Sequence, residues 1–258
     1  MVQAQTGGIG RIRYGNRSAG QFHGQVILNG AELCGRFGHQ PLVLIIGMGY
    51  QTIAGGQGVT GGVGKVFRPG AAGGVGKIDW VKILAAALPY TDFFVPSFEE
   101  LCFMLDREKY DTLSDLGGDM TGKLDMLRDV KPLADKCLEL GCKAVLIKCG
   151  ISGMYYKTSD LSAMEQVGSR LELNAADWAD QEGAQPCFKA DQVLSGTGAG
   201  DTSIAAFLLA AAEGKSPSQC AALAAAEGAC AVTAYDALSG LKTLDVLEAR
   251  IASGWETL

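Results

Sequence analysis

Six residues late in the chain, Gly196-Thr197-Gly198-Ala199-Gly200-Asp201, join a turn nearly free of side chains to a carboxylate. They stand immediately before the apolar run Ile204-Ala-Ala-Phe-Leu-Leu-Ala-Ala-Ala212. A glycine turn entering a helix lets backbone N–H groups converge on one anion, and the positive end of the helix dipole favours negative charge there. The amides of Ala199, Gly200 and Asp201 are the donors such a turn would present. Phosphoryl transfer needs donors for phosphate oxygens, a held metal ion, and a base or orienter for the attacking hydroxyl. Asp201 falls in the first helical turn, where its carboxylate could take that proton. A structural reading of the same residues is that Asp201 caps the helix and the glycines only make the turn. The strand-like stretch before them and the apolar helix after them favour the chemical reading.

Such a turn needs a scaffold to hold it. From Ile78 onward, helical and strand patterns alternate. Trp80–Leu88 reads as a short amphipathic helix ended by Pro89, and Asp92–Val95 as a buried strand. Ser97–Asp106 returns to helical spacing, and Ser97-x-x-Glu100 is a capping box with Pro96 and Leu101 as its staple. A polar loop is expected to about Thr121, then a helix over Lys123–Leu140 with Gly141 at its αL cap. Lys143–Cys149 is almost continuously apolar, as in a strand buried on both faces, and Gly153–Lys157 reads as another strand. Thr158–Gln185 reads as loop and Phe188–Leu194 as a weaker strand. Helices follow at Asp201–Ala212, Pro217–Ala234 and Leu244–Ala252. Strands alternating with helices of this length predict a doubly wound, three-layer α/β/α sandwich with a mostly parallel sheet.

The first 77 residues differ in kind. They hold 21 of the 36 glycines and seven Lys or Arg against one acid, Glu32. The remainder carries 15 basic and 27 acidic residues, so a chain of net charge −6 conceals a basic segment followed by an acidic one. This divides the chain into a Gly-rich, acid-poor segment, 1–77, and an α/β unit, 78–258. Within the first, only Leu42–Ile46 reads as a strand. Gly-Gly-Val-Gly-Lys occurs at 61–65 and 73–77, but both copies lack the leading glycine and the metal-binding Ser or Thr of a P-loop.

Thr197-Gly-Ala-Gly-Asp-Thr-Ser-Ile-Ala-Ala-Phe-Leu208 resembles the C-terminal signature of the ribokinase-like (PfkB) carbohydrate kinases. The resemblance implies that Asp201 is the catalytic base and that Gly198, Ala199 and Gly200 stabilise charge on the transferred phosphoryl group. Ser195 stands where the family often has an aspartate. Asp92–Glu100 resembles the family's strand ending in Pro-Asn-x-x-Glu, with Ser97 in place of the asparagine. By that resemblance Glu100 helps hold magnesium; as a capping residue it would stand at the same helix N-terminus. Val145–Met154 resembles the strand and turn beside the nucleotide phosphates, which assigns Lys148, Gly150 and Gly153 to the nucleotide with Thr197. A lysine at a strand end also has a plain solvated reading. Ala221–Thr243, with Gly228 and Gly240, resembles the wall of the adenine pocket. The family's sugar-contacting Gly-Gly-Asn motif and lid are not visible, which implies an N-terminally truncated or degenerate member.

The expected activity is therefore ATP- and Mg2+-dependent phosphorylation of a sugar or nucleoside hydroxyl. The rival reading is a catalytically impaired remnant that keeps nucleotide binding only. A nucleic-acid-binding basic arm ranks last, because the seven basic residues are scattered without aromatic neighbours. No stretch approaches the roughly 20 apolar residues of a membrane span, and no secretory signal pattern opens the chain. Eight cysteines without a C-x-x-C pair, and only His23 and His39, argue for buried reduced thiols in a cytoplasmic protein and against zinc. A small-molecule substrate is the expected partner, with a homodimer left open and neither nucleic acid nor membrane.

Overall fold

The computed structural model of the chain describes residues 43–44, 79–171 and 173–258. The two glycine-lysine repeats, Cys34, both histidines and the rest of the expected Leu42–Ile46 strand lie outside the described residues. The described strands are β1 (Val43–Leu44), β2 (Phe93–Phe94), β3 (Ala144–Lys148), β4 (Met154–Thr158) and β5 (Glu182–Gln185). The helices are α1 (Trp80–Ala87), α2 (Phe98–Leu105), α3 (Arg107–Asp115), α4 (Lys131–Glu139), α5 (Leu161–Leu171), α6 (Ala175–Trp178), α7 (Ala199–Ala212), α8 (Pro217–Ala231) and α9 (Leu244–Ala252).

The strands lie side by side in chain order. β1, β2 and β3 run parallel, with Phe93 opposite Ala144. β3, β4 and β5 form an antiparallel meander, with Leu146 opposite Tyr156. The expected parallel sheet thus describes one half of the strand pairings, and the tight turn after Lys148 reverses the other half.

Period-2 alternation divides the sheet's side chains between two cores. Phe93, Ala144, Leu146 and Met154 pack with Met164 of α5, Trp178 of α6, Phe207 of α7 and the small residues of α8. Phe93, Trp178 and Phe207 meet edge to face, with ring centroids 5.8–6.1 Å apart. Phe94, Val145, Ile147 and Tyr155 point the other way, onto Leu84 of α1, Leu101 of α2, Tyr110 of α3 and Leu133 of α4. Helices cover both faces, which makes the three layers expected from the sequence.

Three stretches differ from the sequence expectation. Asp106 accepts a bond from the Lys109 amide and starts α3 within the expected loop. The single helix over Lys123–Leu140 is broken into a π-helical turn, Met126–Val130, and α4. Asp125 receives the amides of Leu127 and Arg128, and the nearly buried Asp129 binds Lys109 at 2.9 Å and Arg128 at 2.8 Å. The expected loop from Thr158 to Gln185 holds α5, α6 and β5, while Phe188–Leu194 is not a strand. Phe188 instead makes one antiparallel bridge to Thr257 and stacks on Trp255, and Arg250 lies 3.6 Å over that indole. The C-terminal tail therefore satisfies the segment that a neighbouring strand would have paired.

Candidate active site

α7 begins at Ala199, two residues earlier than the sequence suggests, because Gly198 turns the chain at φ +79°. Only glycine adopts that conformation freely, and a Cβ there would also collide with Ala237. The turn closes on itself: the Ala199 amide donates to the Gly196 carbonyl at 3.3 Å and the Thr202 amide to the Gly198 carbonyl at 2.9 Å. Among the described residues the amides of Gly200 and Asp201 have no acceptor. Of the three donors expected from the sequence, two are left for an anion, and the amide of Ala199 is turned inward. Asp201 is exposed on the first turn.

Lys148 comes to the same place from β3. Its amide donates to the Pro96 carbonyl at 3.0 Å, and its backbone bridges in parallel to Ser97. Its Nζ stands 3.6 Å from the point a Cβ on Gly200 would occupy, and among the described residues beyond Gly200's own neighbours and helix backbone only the lysine's Cδ also comes within 4 Å of that point. The ammonium has no ion pair among the described residues. An anion approaching Gly200 would meet a point charge and two amides without displacing a side chain. That arrangement fits a phosphate.

Ser97 carries the adjoining corner. Its hydroxyl accepts from the Glu100 amide at 3.2 Å, and Glu100 Oε2 accepts from the Ser97 amide at 2.9 Å, completing the capping box. The neighbouring Glu99, which the sequence reading passed over, is held above the ordinary carboxylate range chiefly by burial, with Asp119 and Glu100 adding repulsion. No group of three or more potential metal ligands is found among the described residues. Magnesium is commonly held through one or two carboxylates together with phosphates. Glu100 therefore fits a metal that arrives with its phosphates, not one caged by protein.

Gly150 and Gly153 shape the turn between β3 and β4, at φ +50° and +98°. A Cβ on Gly150 would collide with the Thr121 hydroxyl, which donates to Asp119 Oδ1 at 2.7 Å. The Ser152 hydroxyl donates to the Thr121 carbonyl, and the Cys187 thiol to the Gly150 carbonyl at 3.1 Å. The Cys187 carbonyl in turn accepts from the Leu258 amide at 2.9 Å. Thr121 had no sequence signal beyond lying near Gly117-Gly118, since its contacts with Gly150 and Ser152 are distant in the chain, and Asp119 enters only as the local partner of Thr121.

The remaining residues assigned to the nucleotide are spread around α7 and α8. Thr197 is exposed, its amide bonded to Ser195 Oγ at 3.1 Å. A Cβ on Gly228 would lie 2.6 Å from Ser203 Oγ, and one on Gly240 would lie 2.6 Å from the Cys230 carbonyl. Both glycines admit close helix and loop packing behind the turn. Glu227, beside Gly228, is buried and accepts from the Lys242 amide at 3.3 Å, and burial raises its pKa. A groove lined by Leu209, Glu213, Lys242 and Glu248 lies at the opposite end of α7 from the glycine turn.

Residues 78–244 match the family described as pfkB family carbohydrate kinase. Among solved structures, ribokinase from Thermotoga maritima is 23% identical, with 65% of this chain and 44% of that one covered at a TM-score of 0.44. Arabidopsis thaliana ribokinase, solved with ribose and ATP, is 25% identical, with 64% and 42% covered at 0.45. The nucleoside kinase of Methanocaldococcus jannaschii is 20% identical, with 67% and 44% covered at 0.44. The chain spans less than half the length of each of these proteins. No described helix is long and apolar enough to cross a membrane.

Proposed function

This chain belongs to the pfkB family of carbohydrate kinases, and we propose that it is an ATP-dependent phosphotransferase acting on a hydroxyl of a sugar or nucleoside. The observation that carries this reading is the Lys148 ammonium beside Gly200, which has no ion pair among the described residues, at a helix N-terminus whose next amides have no acceptor among them. Bound MgATP supplies the phosphoryl group and the metal charge that offsets it. The turn from Gly198 to Gly200 receives the developing negative charge, with Ala199 shaping the turn and the Gly200 amide donating. Asp201 accepts the proton of the attacking hydroxyl. Lys148 balances phosphate charge, Glu100 holds the metal, and Thr197, Gly150, Gly153, Gly228 and Gly240 line or shape the nucleotide side. In this reading residues 78–258 are the catalytic unit and 1–77 a separate segment. The protein works in the cytoplasm, and its described cysteines, all free and six of seven buried, fit that setting.

A second reading, nucleotide binding without turnover of any acceptor, is favoured by one observation. The family match begins at residue 78, where the composition changes. One experiment separates the two: ATP consumption over pentoses, hexoses, sugar acids and nucleosides, with Asp201→Asn as the control. Turnover of one acceptor that Asp201→Asn abolishes supports the kinase. ATP binding with no acceptor turned over defeats it and leaves the second reading.

A further inference from the structure

Ala199 and Gly200 share one peptide unit, and a trans peptide is planar with its C=O and N–H pointing in opposite directions. Whatever holds the Ala199 carbonyl therefore aims the Gly200 amide. Beyond the i−4 helix bond that the Ser203 amide owes it as the first carbonyl of α7, two hydroxyls hold it: Ser203 Oγ donates to that carbonyl at 2.7 Å and Thr202 Oγ1 at 3.1 Å. Both residues are buried. Hydroxyls that bond back to the preceding turn tilt the peptide they bind, and a carbonyl that accepts such bonds polarises its own N–H into a stronger donor.

The Ser203 hydroxyl can occupy this position only because the facing residue of α8 has no side chain. A Cβ on Gly228 would stand 2.6 Å from Ser203 Oγ and 3.8 Å from the Ala199 carbonyl oxygen. Ser203 is buried whereas Asp201 is exposed, so the Ser203 hydroxyl meets no substrate directly.

We propose that Ser203, admitted by Gly228, is a positioning residue that aims the Gly200 amide at the phosphate. This rests on the proposed phosphotransferase site and gives Gly228 a part in it: the glycine acts through Ser203 and makes no contact of its own with the nucleotide. Thr202 supports the same carbonyl, so loss of Ser203 alone loosens the donor without releasing it.

The test is MgATP binding by calorimetry, with ligand-free thermal unfolding, on the full chain and on Ser203→Ala, Gly228→Ala and the double variant. Ser203→Ala is expected to weaken MgATP about three- to tenfold, the worth of one hydrogen bond, while leaving adenosine affinity unchanged. A merely structural role would weaken both ligands together. Gly228→Ala is expected to lose more, through the collision with Ser203 Oγ. The double variant should return to the level of Ser203→Ala, because the group that the new methyl strikes is gone. If Gly228→Ala does not fold, the single Ser203 variant and the double variant still decide the matter. Wild-type MgATP affinity in Ser203→Ala, equal loss of adenosine, or a double variant no better than Gly228→Ala each overturns the proposal. A wild-type chain that binds no MgATP overturns the proposed function itself, and this inference with it.

Discussion

Lys148 Nζ stands 3.6 Å from where a Cβ on Gly200 would be, although 52 residues separate the two in sequence. β3 ends at Lys148 and α7 starts at Ala199, so the sheet's carboxyl edge and the helix's amide end open onto the same space. Positive charge reaches that space from both elements, one as an ammonium and one as a dipole.

Replacing Lys148 by Met keeps most of the stem's packing and removes the charge. A charge-assisted contact is worth about 1.5–3 kcal/mol, so MgATP affinity should fall by roughly 10- to 100-fold. The unfolding midpoint should stay near that of the wild type, because the ammonium makes no ion pair in the described fold. Unchanged MgATP affinity by calorimetry would remove Lys148 from the site.

Gly198, not Asp201, is the N-cap of α7 and no side chain caps it, so Asp201→Asn separates a base from a charge that only meets the helix dipole. As a base, its loss should lower turnover by roughly 10²- to 10⁴-fold with ATP still bound. As a dipole partner only, the change should cost about 0.3–1 kcal/mol of stability and leave turnover nearly intact. Initial rates and a denaturant titration on the same sample distinguish the two.

Glu100→Gln tests the two roles of that carboxylate in a similar way. The amide oxygen can still accept from the Ser97 amide, so the capping box persists in neutral form. Stability should drop by no more than about 1 kcal/mol. Magnesium dependence of ATP binding should shift to higher Mg2+ by roughly tenfold, the lower bound for disturbing a metal's surroundings. A shifted unfolding curve with unmoved Mg2+ dependence would leave Glu100 as a cap alone.

Acid should unfold the protein through two carboxylates. Hydrogen bonds from Lys131 and then Lys157 hold Glu182 down at about 2, and the Arg128 guanidinium, followed by Lys109, holds Asp129 well below the usual carboxylate range. Both pKa values are depressed in the folded state, so the stability they provide is present above the unfolded values, near 4. It is lost as pH falls from there through about 2 for Glu182, and lower still for Asp129. Glu182 is well exposed, so solvent screening limits its share; the less exposed Asp129 dominates. Asp129→Asn should flatten the melting temperature against pH below pH 4, and a slope as steep as wild type would refute this assignment.

The parts of the fold carried by local periodicity are legible in the sequence. α9 has the residues its apolar spacing predicts, and α1 and α2 end within a residue or two of expectation. The capping box at Ser97 and the αL glycine at 141 were readable because each signal lies within five residues of the helix end it governs. What escaped was decided at a distance. β5 reads as loop because its sequence, Glu-Gly-Ala-Gln, has no strand propensity. It is held by pairing with β4 and by Glu182 bonding Lys131 and Lys157. The glycine turn at the site was evident from its spacing, but the inward turn of the Ala199 amide and the approach of Lys148 are tertiary facts.

Cys187 holds the Gly150 turn with its thiol and Leu258 with its carbonyl. One residue is thus the shared anchor of two segments 108 positions apart in sequence. A displacement of the strand-like segment around Leu258 is felt at the Gly150 turn through that single residue.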